Sequence, residues 1–286
     1  MKILLKNFST VNPGGTASLS LKSLNGFTLH ALRFVLGGST FTKAMMNRIQ
    51  IRVEQKDVIN QITGTQLQDI NSWHKGANTA TDLAFFFGNP DANTYHGQHV
   101  TDLDLSVIKN KNGGAATLDI EVDIAVSAVA PTLIAYADVG APKKDQGVFA
   151  PNEGPLFKAF IRSLLTPGAA FNLQPQDIGL GIPGGGILNE YWFHANMTSL
   201  EIKKSAIDIW QNVPIEQMNA WQEDYGHPVQ AGMYVWSPTY RGYVGELETT
   251  LQPDGKTPYP YEHLLSVSAA DTINVFAEMA TQHQLI

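Results

Sequence analysis

Residues 117–126 read TLDIEVDIAV, and this stretch decides the fold class. Four apolar residues, Leu118, Ile120, Val122 and Ile124, alternate with three acidic ones. Successive side chains of a strand point to opposite faces, so the alternation predicts a β-strand with one buried and one polar face. Similar alternation recurs along the chain between turns rich in Pro and Gly. The sequence therefore predicts an all-β protein.

Two short segments depart from this alternation and predict helices. Residues 65–75 begin with Thr65 and Gln68 as a Thr-x-x-Gln capping box, and residues 212–221 begin with Asn212 as an N-cap. Each segment carries one apolar stripe at helical spacing. The stripes are Leu67, Ile70 and Trp73 in the first segment and Ile215, Met218 and Trp221 in the second.

The two helices belong to an internal repeat. Sliding the chain by 148 residues aligns Trp73 with Trp221, and offsets of 151 to 155 align other segments in the same order. The spacing of the apolar residues in 156–165 also fits an amphipathic helix, but the same alignment predicts a strand that corresponds to residues 3–11. Short strands with one inserted helix per copy are typical of the eight-stranded jelly roll. We expect two tandem eight-stranded jelly rolls, residues 1–145 and 146–286, joined through the Gly/Pro-rich residues 140–155.

The composition excludes several classes of protein. With no cysteine, disulfide scaffolds and thiol nucleophiles are excluded. The balance of 26 acidic and 19 basic residues argues against direct nucleic-acid binding, and Lys143-Lys144 is interpreted as a solvated loop. Only 16% of residues are charged, against about 25% in an ordinary domain, which indicates surface hidden against partners. Without an export signal or a membrane-spanning stretch, the protein is expected to be soluble as made.

The best candidates for metal ligands are His96, His99, Asp102 and Asp104. Imidazole and carboxylate groups bind divalent ions, but polar loop residues explain the same pattern. The acidic row of residues 119, 121 and 123 could hold calcium, although the solvent-facing or subunit-facing side of a strand is the simpler interpretation. No cofactor is expected, and the alternative is a structural divalent ion such as calcium.

Other candidate sites have ordinary structural explanations. The spacing Gly179-x-Gly181-x-x-Gly184 matches a dinucleotide fingerprint, but Pro183 lies inside it and a loop is predicted. The two repeated tryptophans could stack on sugars, whereas their apolar stripes favour core positions. Four tyrosines in loop-rich sequence are predicted to be exposed contact residues: Tyr240, Tyr243, Tyr259 and Tyr261.

Five segments carry a resemblance to a known family. They are LLKNFSTVNPGGTASLSL (4–21), GFTLHALRF (26–34), NRIQIRVEQKDVINQITGTQLQDI (47–70), TLDIEVDIAVSAVAPTLIAYADVG (117–140) and LEIKKSAIDIW (200–210). With the internal repeat, they resemble the double jelly-roll major capsid proteins of tailless icosahedral phages that contain a membrane, of the corticovirus type.

The resemblance implies a structural protein without catalytic residues. Three copies would form a homotrimer whose six jelly rolls give a pseudo-hexameric capsomer, and capsomers would tile an icosahedral shell over an internal lipid membrane. The implied partners are neighbouring capsomers and minor capsid or membrane proteins, with no direct contact to nucleic acid. The implied location is the virion, after synthesis in the host cytoplasm.

Two other classes compete with this interpretation. Two-sandwich amidases that act on glycans use acidic residues, and Glu246 and Glu248 are the first carboxylates to test. A cytoplasmic carbohydrate-binding protein would need exposed aromatic residues on a concave face.

Overall fold

The computed structural model describes residues 1–76, 79–109, 112–143, 156–168, 170–176, 178, 185–254 and 257–282. These residues form four antiparallel sheets, which confirms the all-β prediction. The chain divides into two compact units, Met1–Ala159 with the residues from Thr281 onward, and Phe160–Ala280. None of the helices in the described ranges is long and apolar enough to cross a membrane.

The first repeat contains nine strands and two α-helices in its described residues. The strands are β1 (Lys2–Leu4), β2 (Thr16–Leu21), β3 (Thr28–Gly37), β4 (Met46–Val53), β5 (Lys56–Ile62), β6 (Asp82–Phe86), β7 (Leu103–Asp104), β8 (Leu118–Ile124) and β9 (Thr132–Gly140). The helices are α1 (Gly64–Trp73) and α2 (Tyr95–His99), and Lys43–Met45 form a 3-10 turn.

Eight of these strands form two four-stranded sheets. One sheet has the order β1-β9-β3-β6, with the two-residue strand β7 added beside β3, and the other has the order β2-β8-β4-β5. The apolar residues of β8 are at most 2% exposed, as the alternation in residues 117–126 predicts. They contribute to a core that also includes Phe34 of β3 and Ile51 of β4, both 0% exposed.

The second repeat contains strands β10 to β18 and one α-helix in its described residues. They are β10 (Leu156–Leu165), β11 (Ala170–Gln176), β12 (Gly186–Phe193), β13 (Met197–Lys204), β14 (Ile207–Pro214), α3 (Ile215–Asp224), β15 (Met233–Trp236), β16 (Glu248–Thr249), β17 (Tyr261–Val267) and β18 (Ile273–Gln282). A 3-10 turn covers Val244–Glu246.

The second repeat reproduces the connectivity of the first. Its sheets have the orders β10-β18-β12-β15 and β11-β17-β13-β14, and β16 adds to β12. Adding nine to each strand number of the first repeat gives the second, including the short extra strand. This order of strands is the jelly roll, so two eight-stranded jelly rolls in tandem are confirmed.

The first strands of the two repeats, β1 and β10, differ in length. Residues 156–165 form a strand as predicted, but β1 stops at Leu4 instead of continuing to residue 11. The buried residues that follow, Leu5 and Phe8, are three apart, so one continuous strand cannot bury both on the same face. Beyond them Ser9 leaves the first sheet and pairs with Ser18 of β2.

Helix α1 begins two residues earlier than predicted. The sequence contains two overlapping Thr-x-x-Gln motifs, and the capping box uses Thr63 and Gln66 rather than Thr65 and Gln68. The Gln66 N–H donates to Thr63 Oγ1 over 3.2 Å, and the Thr63 N–H donates to Gln66 Oε1 over 3.0 Å. Gln68 is instead buried, where it accepts a hydrogen bond from Lys43. The predicted stripe of α1 is confirmed, since its three residues are at most 3% exposed.

Helix α3 also begins at a different residue from the prediction. Asn212 lies in β14 with a left-handed backbone (φ 41°), and its side chain accepts a hydrogen bond from Ser199. Pro214 is the N-cap of the helix, and the helix extends to Asp224. The stripe is confirmed, because Met218 is fully buried and the other two stripe residues, Ile215 and Trp221, are partly buried against the core.

Candidate functional site

The first unit brings two histidines and one aspartate together. His30 lies in β3, His99 ends α2, and Asp102 precedes β7. The Nδ1 atoms of His30 and His99 lie 2.5 Å and 2.7 Å from the same oxygen of Asp102, Oδ2. Within the described ranges, these three residues offer ligand atoms within 4.8 Å of one another.

Two of the four predicted metal ligands are thus placed together, and two are not. His99 and Asp102 belong to the group, whereas His96 is exposed on α2. Asp104 is buried and accepts hydrogen bonds from the backbone N–H groups of Ser106 and Lys143, each over 2.9 Å. His30 was not among the predicted ligands, and its only signal in the sequence is a polar residue inside the apolar strand sequence LHALRF.

The interpretation of Lys143 as part of a solvated loop is wrong. Its side chain is buried, and Nζ donates to the carbonyl oxygens of Val100 and Leu156 over 2.7 Å and 2.8 Å. Burial lowers the pKa of Lys143 to about 8, against the opposing effect of Asp102 and Asp104. The second lysine of the pair, Lys144, lies outside the described residues.

The lowered pKa of Lys143 predicts a specific pH dependence of stability. Between pH 8 and pH 10.5, the unfolded chain keeps the Lys143 proton that the folded chain has lost. The free energy of unfolding therefore increases as pH rises through this range. The gain is about 3 kcal/mol at most, from 1.36 kcal/mol per pKa unit. Denaturant titrations of the wild type and of the Lys143→Met variant at several pH values measure this gain. A chelator in the buffer keeps metal ions from contributing to the stability. Identical pH profiles of the two proteins would contradict the prediction.

Two of the three acidic residues of β8, Glu121 and Asp123, are paired with arginines. Arg48 lies 2.7 Å from Asp123 and 3.3 Å from Glu121, and Arg52 also pairs with Glu121. Burial alone would raise the pKa of Asp123, but hydrogen bonds from Arg48 and Thr16 lower it overall. Because arginine cations already neutralise these carboxylates, the arrangement favours a cross-strand ion-pair network over a calcium site.

The two repeated tryptophans have different surroundings. Trp73 is 1% exposed, which confirms its core position. Trp221 is partly buried: it packs against the core of the second unit and also lines a pocket of about 480 Å³. The other residues that line this pocket are Trp210, Asp224, Tyr225 and Tyr240. The core interpretation therefore holds fully for one tryptophan and partly for the other.

The tyrosines predicted to be exposed are mostly partly buried. Tyr243 is 52% exposed, as predicted. Tyr240 stacks on Tyr225 and donates to the carbonyl oxygen of Val235, and Tyr259 lies 4.1 Å from the Lys204 ammonium. Tyr261 donates to the carbonyl oxygen of Thr249. Three of the four tyrosines are therefore engaged within the second unit.

The carboxylates proposed for an amidase have ordinary surroundings. Glu248 pairs with Lys204 and lies 3.1 Å from the Tyr261 hydroxyl oxygen, while Glu246 is exposed on a 3-10 turn. The Gly-x-Gly-x-x-Gly spacing at residues 179–184 lies outside the described residues.

Two family models match the two halves of the chain. The model of the viral coat protein P2 N-terminal domain matches residues 2–140, and that of the viral coat protein P2 C-terminal domain matches residues 176–283. None of the curated proteins matches the chain.

Solved structures share the fold over nearly the whole chain. The major capsid protein P2 from bacteriophage PM2 is 16% identical with a TM-score of 0.80, covering 99% of this chain and 97% of its own. The STIV MCP is 11% identical with a TM-score of 0.67, covering 99% and 97%. A capsid model of the virus PBCV-1 is 11% identical with a TM-score of 0.60, covering 98% and 94%.

Proposed function

Since this chain belongs to the viral coat protein P2 family, and is therefore a structural capsid protein and not an enzyme, we propose that it assembles as a homotrimer. The trimer is the pseudo-hexameric capsomer of an icosahedral shell, and neighbouring capsomers are its principal partners. The alternative functions, a glycan amidase or a carbohydrate-binding protein, receive no support from the family.

The observation that carries this proposal is the duplicated strand order. Each chain supplies two jelly rolls of identical connectivity, so a three-fold assembly presents six similar sandwiches. The strands of the first repeat end at Gly140 and those of the second begin at Leu156, so the proposed boundary at residues 145/146 lies between the repeats, whereas the compact units divide at Ala159.

An apolar strip on the outer face of the first unit supports contact with a second copy. Leu4 of β1 and Tyr136 of β9 are paired across the two strands, and Ile134 lies on the same face of β9. Their exposed fractions are 58%, 37% and 39%. Exposed apolar residues on one sheet face are typical of a protein interface.

The charge distribution supports a shell that does not hold the genome directly. The net charge is −7, and Arg33, Arg48 and Arg52 are each paired with carboxylates of their own sheet. Binding to nucleic acid needs basic side chains that can neutralise phosphates. We place the protein in the virion, over an internal lipid membrane and beside minor capsid or membrane proteins, after synthesis in the host cytoplasm.

The purified protein is expected to be a stable trimer. Three chains of 31.2 kDa give about 94 kDa by light scattering coupled to gel filtration, and negative-stain electron microscopy is expected to show particles of hexagonal outline. A monomer at micromolar concentration would overturn the trimer.

A paired set of variants locates the interface. Tyr136→Glu places a charge in the apolar strip and is expected to shift the protein from trimer to monomer. Tyr136→Phe keeps the ring and is the matched control, expected to remain trimeric. Trimers of both variants would exclude this strip as the contact while leaving the trimer itself intact.

A further inference from the structure

The group of His30, His99 and Asp102 joins parts of the chain that are distant in sequence. His30 is in the middle of the first jelly roll, 72 residues before Asp102, and His99 is three residues before it. The two imidazole rings lie 4.6 Å apart between centroids, and Tyr95 packs on His99. Each ring directs Nδ1 at the same carboxylate.

The Asp102 carboxylate at the centre of the group is buried. Asp102 is 1% exposed, and its Oδ1 has no hydrogen-bond partner among the described residues. Gly88 faces this oxygen, and a Cβ there would lie 2.6 Å from Oδ1 and 2.3 Å from the carbonyl oxygen of Gln98. Only glycine allows this close approach of the backbone to the carboxylate.

A buried carboxylate needs compensation for the loss of hydration. As hydrogen bonds alone, the contacts require a proton on Nδ1 of both rings, with both donating to one oxygen while the other oxygen stays unpaired. A cation bound by the two Nδ1 lone pairs and Oδ2 of Asp102 neutralises the buried carboxylate and needs no proton on either Nδ1. The two histidine side chains are about one-fifth exposed, at 20% and 23%, so an ion can enter from solvent.

We propose that His30, His99 and Asp102 bind a divalent transition-metal ion of the zinc class. Two imidazole nitrogens and one carboxylate are a common ligand set for zinc, and three protein ligands leave a fourth position for water. A modest rotation of the rings opens the ligand atoms to the roughly 3.3 Å separation that a tetrahedral ion requires. Calcium prefers six to eight oxygen ligands, so this set disfavours it.

The bound ion would fasten α2 and its flanking loops to the first jelly roll. His30 lies in β3, where the pairing with β9 shifts register between Leu29 and Ala31. His99 and Asp102 lie in the segment between β6 and β7. An ion bound to β3 and to this segment at the same time would stabilise the folded position of the segment, because the ion binds only when all three ligands are in place. The proposal does not depend on the trimer, because all three ligands come from one chain.

Titration of chelator-stripped protein tests the site. We expect zinc to bind at one equivalent per chain by calorimetry, to raise the melting temperature, and to compete with cobalt(II). Cobalt(II) in the site is expected to give the visible absorption of a tetrahedral nitrogen and oxygen environment, a readout that needs no variant. Absence of both zinc binding and the cobalt spectrum in the wild-type protein would overturn the proposal, as would preferential binding of calcium.

Three variants identify the ligands. His30→Gln and His99→Gln are each expected to weaken zinc binding at least about tenfold. His96→Gln is the matched control, because this exposed histidine of the same helix is outside the group, and it is expected to bind zinc as the wild type does. Equal loss of affinity in all three variants, or no loss in His30→Gln, would contradict the assignment of ligands.

Discussion

Replacing Trp73 by alanine is expected to lower the free energy of unfolding by about 3–5 kcal/mol, the range for truncation of a large aromatic core residue. Trp73 is 1% exposed at the end of α1 and shares one stripe with Leu67 and Ile70. The alanine variant leaves a cavity between α1 and the first jelly roll that backbone movement fills only in part.

Trp221 is the natural comparison for this variant. It occupies the aligned position in α3, but one side of its ring faces the pocket instead of the core. Trp221→Ala is therefore expected to cost less, roughly 1–3 kcal/mol, because less apolar area is lost from the buried state. Denaturant titration followed by circular dichroism measures both. Equal losses in the two variants would show that the pocket side contributes as much as a closed core.

Replacing His263 by leucine is expected to destabilise the second jelly roll by about 3 kcal/mol, the cost of leaving a buried polar group without its hydrogen-bond partner. His263 of β17 and Glu190 of β12 are 1% and 0% exposed, and their Nε2 and Oε1 atoms lie 3.1 Å apart. The indole N–H of Trp192 donates to the other oxygen of Glu190 over 3.2 Å. The pair joins the two sheets of one sandwich, so its loss leaves a carboxylate inside the core.

A double variant separates the pair from simple packing loss. Glu190→Leu combined with His263→Leu removes both polar groups, and we expect it to recover part of the stability lost in the single variant. Chemical denaturation of the wild type, the two single variants and the double variant under one set of conditions gives the coupling energy. A loss below about 1 kcal/mol in His263→Leu would contradict the prediction.

Local patterns in the sequence predicted the elements of this fold well. The period-two alternation around Ile120 and the helical stripe of Leu67, Ile70 and Trp73 both depend on neighbouring residues, so they are visible without tertiary information. The repeat predicted the tandem architecture for a similar reason, since equivalent elements recur in the same order. It also identified residues 156–165 as a strand, although their spacing alone fits a helix.

The errors arose where tertiary contacts decided between local alternatives. Two Thr-x-x-Gln motifs compete for the start of α1, and the buried hydrogen bond from Lys43 to Gln68 favours the first. Nothing near Lys143 in sequence shows that the carbonyl oxygens of Val100 and Leu156 surround its ammonium group. His30 escaped the search for metal ligands because strand pairing, and not sequence proximity, brings it to Asp102.

The strand order also constrains when the protein can fold during synthesis. In the first jelly roll, β1 pairs with β9, so Leu4 meets Tyr136 only after more than 130 residues have been made. Pairing over such separations is slow, because the entropy of closing a long loop is lost before the contacts form. Since β9 ends at Gly140, the first sandwich can close on the ribosome while the second is still being translated. The tandem arrangement thus divides one slow folding problem into two successive ones.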